Sequence, residues 1–147
     1  MTSIKTLAAA LALLVPVVAT AANPIIVHRD PGCGCFEKWA QQVKAQFGRD
    51  VHVVNDAARA NFDDRLGVPK DLRSCHTANV DGLAFEGHVP IADMKRLLVT
   101  RPKGVTGLAV AGMPIGSPGM EMTGMRTQAF DVVAFWPGGR RVFAHHG

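Results

Sequence analysis

The segment HRDPGCGCFEKW, residues 28–39, places two cysteines one residue apart, between a proline-containing turn and a helical pattern. Unpaired backbone N–H groups and the helix dipole stabilise a thiolate at such a helix start, so Cys33 is a candidate nucleophile or metal ligand. A dithiol redox motif would have its second cysteine at position 36, where this chain has Phe36. Because a Cys33–Cys35 disulfide would close a very small, strained ring, general disulfide exchange is disfavoured.

A third cysteine, Cys75, lies in the segment SCHTA beside His76, and His88 closes the segment FEGH. An odd number of cysteines cannot form a fully paired framework, so at least one thiol is free, intermolecular or bound to a ligand. Cys75 alone could equally be a small buried apolar residue. The remaining histidines are interpreted as structural residues, His28 and His52, or as part of a disordered terminus, His145 and His146.

Methionines are concentrated in the Gly- and Pro-rich segment 113–125, where they lack helical spacing: Met113, Met120, Met122 and Met125. Soft thiolate and thioether ligands select Cu(I), which makes copper the first choice of metal. Met113 and Met120 could instead pack this segment onto the domain. The predicted metal ligands are therefore of two tiers: first Cys33, Cys35, Cys75, His76 and His88, and second Met113, Met120 and Met122.

Zinc is the alternative metal, because three cysteines and one histidine also describe a structural zinc site. Zinc loops usually separate paired ligands by about two to four residues, whereas a single residue separates Cys33 from Cys35. Thiolates on so short a bite more readily bridge several soft ions. Iron–sulfur clusters normally need one more cysteine than this chain has.

Strands and helices alternate in the part of the sequence that must position these ligands. PIIVHR predicts a buried strand, and residues 36–47 predict a helix that ends at Gly48. VHVV predicts a second strand. The next helical pattern places Ala58, Phe62 and Leu66 on one face.

Residues 76–98 continue the pattern with two strands joined at Asp81-Gly82 and a helix opened by Pro90. The order β-α-β-α-β-β-α is that of the thioredoxin fold, in its glutaredoxin-like form. In that fold Cys75 and His76 lie beside the cysteine turn, so all three cysteines are predicted to converge at one end of the sheet. The C-terminal third predicts a short apolar strand, an ordered Gly/Met loop and a β-hairpin.

The N-terminal segment predicts secretion. Residues 1–22 combine Lys5, a short apolar run and the small residues ATAA, as in a signal peptide. The run contains Pro16 and is too short for a membrane span. We therefore expect residues 23–147 to form a single metal-binding domain in the periplasm, without a membrane span after cleavage. A formal net charge of +4 without a Lys/Arg cluster argues against a nucleic-acid partner.

The chain resembles domain of unknown function family 411, the CopG-like proteins found in bacterial copper-resistance contexts. The motifs that carry the resemblance span the predicted mature chain: PGCGC, KWA, SCHTA, EGHVP, GLAV and GSPGME. The resemblance implies a thioredoxin-like fold, secretion and soft-metal binding, with the cysteine turn and SCHTA as the core of the site. Family members commonly have a further cysteine where this chain has Phe36, so the resemblance leaves the number of copper ions open.

The leading hypothesis is a periplasmic copper-binding protein for copper handling or resistance, which sequesters or passes on Cu(I), with a redox role as an extension. A copper exporter or another periplasmic copper protein is the expected partner. The alternative is a monothiol, glutaredoxin-like oxidoreductase that uses Cys33. A third hypothesis is a structural module built around a Cys3His zinc site.

Overall fold

A computed structural model of the protein describes residues 22–147, so the predicted signal peptide lies almost entirely outside the described residues. The strands in this part of the chain are β1 (Ile25–Arg29), β2 (Val51–Asn55), β3 (His76–Val80), β4 (Leu83–Glu86), β5 (Gly107–Ala109), β6 (Phe130–Trp136) and β7 (Gly139–His146). The α-helices are α1 (Phe36–Phe47), α2 (Arg59–Leu66) and α3 (Ile91–Thr100), and a short 3-10 helix covers Lys70–Leu72.

One mixed sheet contains all seven strands, in the order β2-β1-β3-β4-β5-β6-β7. β1 is parallel to β2 and β4 is parallel to β5, whereas the other neighbours are antiparallel. The observed element order from β1 to α3 is the predicted β-α-β-α-β-β-α. Within residues 22–147, no helix is both long and apolar enough to cross a membrane.

The two faces of the sheet carry separate apolar clusters. Side chains alternate between the faces along a strand, so Phe85 and Ala84 of β4 belong to separate apolar clusters. The larger cluster joins α1 and α3 to the sheet through Trp39, Met94 and Leu97, all fully buried. α2 covers the opposite face, beside the smaller cluster.

The most deeply buried residues of α2 are polar and do not belong to the apolar face of the helix. Arg59 and Asp63 are the buried residues of this helix, whereas Ala58 is exposed and Phe62 only partly buried. The physical reason lies in the sheet: α2 meets polar residues of β3 and β4 there, so burial of a charged helix face is compensated by hydrogen bonds.

The histidines at the C-terminus are also ordered, contrary to expectation. His145 and His146 belong to β7, which pairs along β6. His145 Nδ1 lies 2.8 Å from Asp131 Oδ1, and His146 Nε2 lies 2.7 Å from Asp93 Oδ2 in α3. Pairing with β6 and these side-chain contacts hold the terminus in place.

Strand pairing brings the cysteine turn and the SCHTA segment together. Arg29, the last residue of β1, pairs with His76, the first residue of β3. One residue further out on each side, Asp30 N donates to Cys75 O at 2.9 Å. Gly87 N, just beyond β4, donates to His76 O at 2.9 Å, so the segment that carries His88 reaches the same end of the sheet.

Candidate metal centre

The three cysteine sulfurs lie together in front of α1. Cys33 and Cys75 form a disulfide pair, and Cys35 Sγ lies 3.4 Å from the sulfur of each. Cys35 is the free thiol of the three and immediately precedes α1, at the predicted helix start. All three residues are partly exposed. The pairing of Cys33 with Cys75 is not predictable from the sequence, because it joins two loops that only the sheet brings together.

A buried imidazole, His76, adjoins the sulfurs, and a second, His88, packs against it. The ring of His76 lies 4.8 Å from that of Trp39 and 4.9 Å from that of His88, centroid to centroid. His76 Nδ1 is 3.8 Å from Cys75 Sγ. One ligand atom from each of Cys33, Cys75 and His76 can be chosen so that all three lie within 4.8 Å of one another.

Both histidines have an unsatisfied ring nitrogen. The Nε2 atoms of His76 and His88 are buried and have no hydrogen-bond partner in the described part of the chain. His88 Nδ1 lies 2.9 Å from Pro118 O, and a carbonyl can only accept, so Nδ1 carries the proton and Nε2 keeps the lone pair. A buried lone pair without a donor is a suitable metal ligand.

Burial keeps both rings neutral. Desolvation, with smaller contributions from His88 and Arg59, lowers the pKa of His76 to about 3. Desolvation also lowers the pKa of His88 below its ordinary value. Neutral imidazole is the form that binds metal ions, so protons do not compete for these nitrogens near neutral pH.

The methionine loop lies between β5 and β6 and reaches the site through its backbone. The Pro118 carbonyl accepts from His88, and Gly119 packs against the first turn of α1. Met113 and Met122 are each about half exposed, at 52% and 51%, and Met120 is partly buried. Thioether coordination by Met113, Met120 and Met122 therefore stays a prediction.

A buried polar cluster, which the sequence did not predict, contacts Ser74, the residue before Cys75. It consists of Arg59, Asp63, Thr77 and Glu86, all less than a tenth exposed. Arg59 Nη1 donates to Asp63 Oδ2 at 2.8 Å and to Thr77 Oγ1 at 3.0 Å. The sequence signal for this cluster is the placement of Arg59 and Asp63 four residues apart in a helix, where their side chains are neighbours.

Glu86 connects this cluster to the SCHTA segment. It is fully buried, and its carboxyl group contacts the Ser74 N–H and the Thr77 hydroxyl. Thr77 Oγ1 also lies 2.6 Å from Asp63 Oδ1. Desolvation raises the pKa of Glu86 to about 7.

The chain matches a protein family of unknown function and solved structures that are named for copper resistance. The family described as "Protein of unknown function, DUF411" matches residues 72–120, which include Cys75, His76 and His88. Two solved structures, named "Copper resistance protein copG", Form 1 and Form 2, are each 42% identical to this chain. The match to Form 1 covers 85% of this chain and 98% of the other, with a TM-score of 0.77. For Form 2 the values are 84%, 98% and 0.76. None of the curated proteins matches significantly.

Proposed function

The chain belongs to the DUF411 family and is related to the copper resistance protein CopG, and on that premise we propose that it binds Cu(I) in copper handling. The ligands in this proposal are Cys33, Cys35, Cys75, His76 and His88. The observation that carries it is a pair of packed, buried imidazoles with unpartnered Nε2 atoms, of which His76 lies against the cysteines, with its Nδ1 3.8 Å from Cys75 Sγ.

The chemistry of these donors supports a soft ion. A buried nitrogen without a hydrogen bond costs about 1–3 kcal/mol, a cost that a bound metal ion removes. Thiolates and neutral imidazoles are the ligands that suit Cu(I), whereas carboxylates suit harder ions. The carboxylate of Asp63 is already hydrogen-bonded to Arg59 and Thr77. Copper is therefore the cargo that this donor set favours over Mg²⁺ or Ca²⁺.

Copper binding in this proposal requires reduced cysteines. While Cys33 is paired with Cys75, those two sulfurs are not thiolates, and Cys35 is the remaining thiol. Reduction by a dithiol breaks the Cys33–Cys75 bond, yields two thiols and leaves the reductant as its disulfide. All three thiols are then available to the metal.

We also propose that the domain has a thioredoxin-like fold and that the protein is exported to the periplasm. The β-α-β-α-β-β-α order and the sheet order β2-β1-β3-β4 at its start support a thioredoxin-like fold. The composition of residues 1–22 supports export to the periplasm and a mature domain over residues 23–147. In that compartment the expected partners are copper ions and a copper exporter or another periplasmic copper protein.

Anaerobic loading tests the proposal. The reduced protein is titrated with Cu(I) against a colorimetric chelator, and bound metal is counted per chain. We expect the wild type to bind at least about tenfold more tightly than the Cys33→Ser/Cys35→Ser variant. A His52→Gln variant is the control, because His52 is an exposed edge-strand histidine. Equal affinity in the wild type and the double-serine variant would refute the site. One zinc per chain that resists Cu(I) would favour a structural zinc module.

A second candidate function rests on the disulfide. Position 36 lacks a resolving cysteine, but Cys75 can take its place, because it lies next to Cys33 in the fold and is paired with it. The pair could therefore exchange with glutathione, as in a glutaredoxin-like oxidoreductase. A coupled glutathione assay with a small disulfide substrate separates the two functions. Turnover that is lost in a Cys33→Ser variant supports this candidate, whereas no turnover excludes it.

A further inference from the structure

Arg59 contacts both of the segments that carry the cysteines. Its guanidinium group holds the carboxylate of Asp30 through two hydrogen bonds, at 2.9 and 3.1 Å, and also donates to the Ser74 carbonyl. Asp30 O in turn accepts from Cys33 N at 3.1 Å, and Asp30 N donates to Cys75 O at 2.9 Å. One side chain therefore links the turn before Cys33 to the residue before Cys75.

Arg59 is itself held rigidly. Only 6% of the residue is exposed, and Asp63, Thr77 and Glu86 contact the guanidinium group from α2, β3 and β4. A planar guanidinium fork can satisfy several acceptors in fixed directions, which an ammonium group cannot do. The geometry of Asp30 relative to Ser74 is thus set by groups in three different elements.

We propose that the Arg59–Asp30 pair is the positioning device of the metal site and holds Cys33 and Cys35 in register with Cys75. This inference rests on the proposed function, because it explains how the three sulfurs are held close enough to form one metal site together. Neither residue is a ligand in that proposal. Arg59 and Asp30 act through the backbone of the two cysteine segments, at Asp30 and Ser74.

The chain contains a matched control for this pair. Arg49 and Asp81 form the same two-pronged ion pair, with hydrogen bonds of 2.9 and 3.0 Å, but Asp81 lies in the β3–β4 turn, away from the cysteines. Asp30→Asn and Asp81→Asn each remove one carboxylate charge from a similar pair. Arg59→Lys and Arg49→Lys each keep the positive charge but remove the fork.

The first measurement needs no metal. In glutathione buffers, two protein thiols and oxidised glutathione give the Cys33–Cys75 disulfide and two reduced glutathione molecules, and the equilibrium constant reports how well the two sulfurs are juxtaposed. We expect Asp30→Asn to lower this constant by about tenfold, a shift of about 30 mV, whereas Asp81→Asn leaves it unchanged. An unchanged constant in Asp30→Asn overturns the inference, as does an equal loss in both variants.

The second measurement uses Cu(I) alone. Groups that orient ligands typically change metal affinity by about 10–100-fold, so we expect a loss in that range for Asp30→Asn and none for Asp81→Asn. Arg59→Lys should lose as much Cu(I) affinity as Asp30→Asn, whereas Arg49→Lys should keep the affinity of the wild type. If Arg59→Lys fails to fold, the Asp30→Asn variant decides. A wild type that does not bind copper refutes the proposed function, while the disulfide equilibrium still decides whether the pair positions the cysteines.

Discussion

The imidazoles of His76 and His88 meet edge to face with their ring centroids 4.9 Å apart, and both have a buried Nε2 atom without a hydrogen-bond partner in residues 22–147. Two such nitrogens would be costly in a purely structural core. Because His76 also lies against Cys75, the pair of rings has a chemical role in the proposed site.

Replacing His76 by phenylalanine should separate stability from metal binding. Phenylalanine fills a similar volume without the unsatisfied nitrogen, so we expect His76→Phe to stabilise the metal-free protein by about 1 kcal/mol. The same variant should bind Cu(I) at least about tenfold more weakly, because one ligand is lost. Urea unfolding and chelator competition measure the two effects. Destabilisation with unchanged copper affinity would show that His76 has a packing role instead.

Thiol labelling should distinguish the cysteines. Because Cys33 and Cys75 are paired and Cys35 is free, we expect iodoacetamide to modify Cys35 alone in the untreated protein and all three cysteines after reduction. Peptide mapping by mass spectrometry should recover Cys33 and Cys75 in one linked species. A linked Cys33–Cys35 peptide, or three reactive thiols before reduction, would contradict the observed pairing.

A methyl group at Gly119 should disturb the loop that supports His88. A Cβ atom there would lie 2.7 Å from Trp39 N, whereas one at Gly124 meets open space. The two glycines have φ values of +83° and +80°, so backbone strain is common to both alanine variants. We expect Gly119→Ala to lower the free energy of unfolding by about 1–3 kcal/mol more than Gly124→Ala. Equal losses in denaturant melts would show that the loop yields without cost.

Two buried groups, His76 and Glu86, should change the stability of the protein in opposite directions as the pH rises. His76 has its pKa lowered from 6.5 to about 3, so between these values the unfolded chain binds a proton that the native state does not, and stability rises with pH. Glu86 has its pKa raised from 4.5 to about 7, so between those values the native state keeps a proton and stability falls as pH rises.

These slopes oppose each other between pH 4.5 and 6.5. Each group contributes about 1.4 kcal/mol per pH unit at full effect. Glu86→Gln should therefore steepen the rise of stability with pH by about that amount, and His76→Phe should reduce it by a similar amount. Denaturant melts of the metal-free protein across this range provide the test. Parallel profiles for the wild type and both variants would refute the assignment of these titrations.

A cysteine at position 36 should enlarge the site. Phe36 is buried, and its ring centroid lies 5.8 Å from that of His76, so a thiol there would face the same cluster. We expect Phe36→Cys to cost about 3 kcal/mol of stability through the cavity that it leaves and to increase the Cu(I) bound per chain. Phe36→Ala leaves a similar cavity without a thiol and is the control. Equal copper counts in the two variants would contradict the prediction.

Local patterns in the sequence determined much of this protein. The periodicity of Trp39 and Val43 predicted α1, and Gly48, with a φ of 60°, ends it as expected. Asp81 and Gly82 form the predicted hairpin turn, and the order of elements from β1 to α3 follows from alternating apolar patterns. Such features depend on residues within a few positions of each other, so they can be predicted without knowledge of the rest of the chain.

Only the tertiary structure decided which distant groups meet. The partner of Cys33 depends on the register of β1 against β3, which pairs Arg29 with His76 and brings Cys75 to the cysteine turn. The buried face of α2 depends on the polar surface that Thr77 and Glu86 present, which overrides the apolar pattern of the helix. Long-range pairing and burial of charge are decided by contacts between separate elements, and no local pattern contains them.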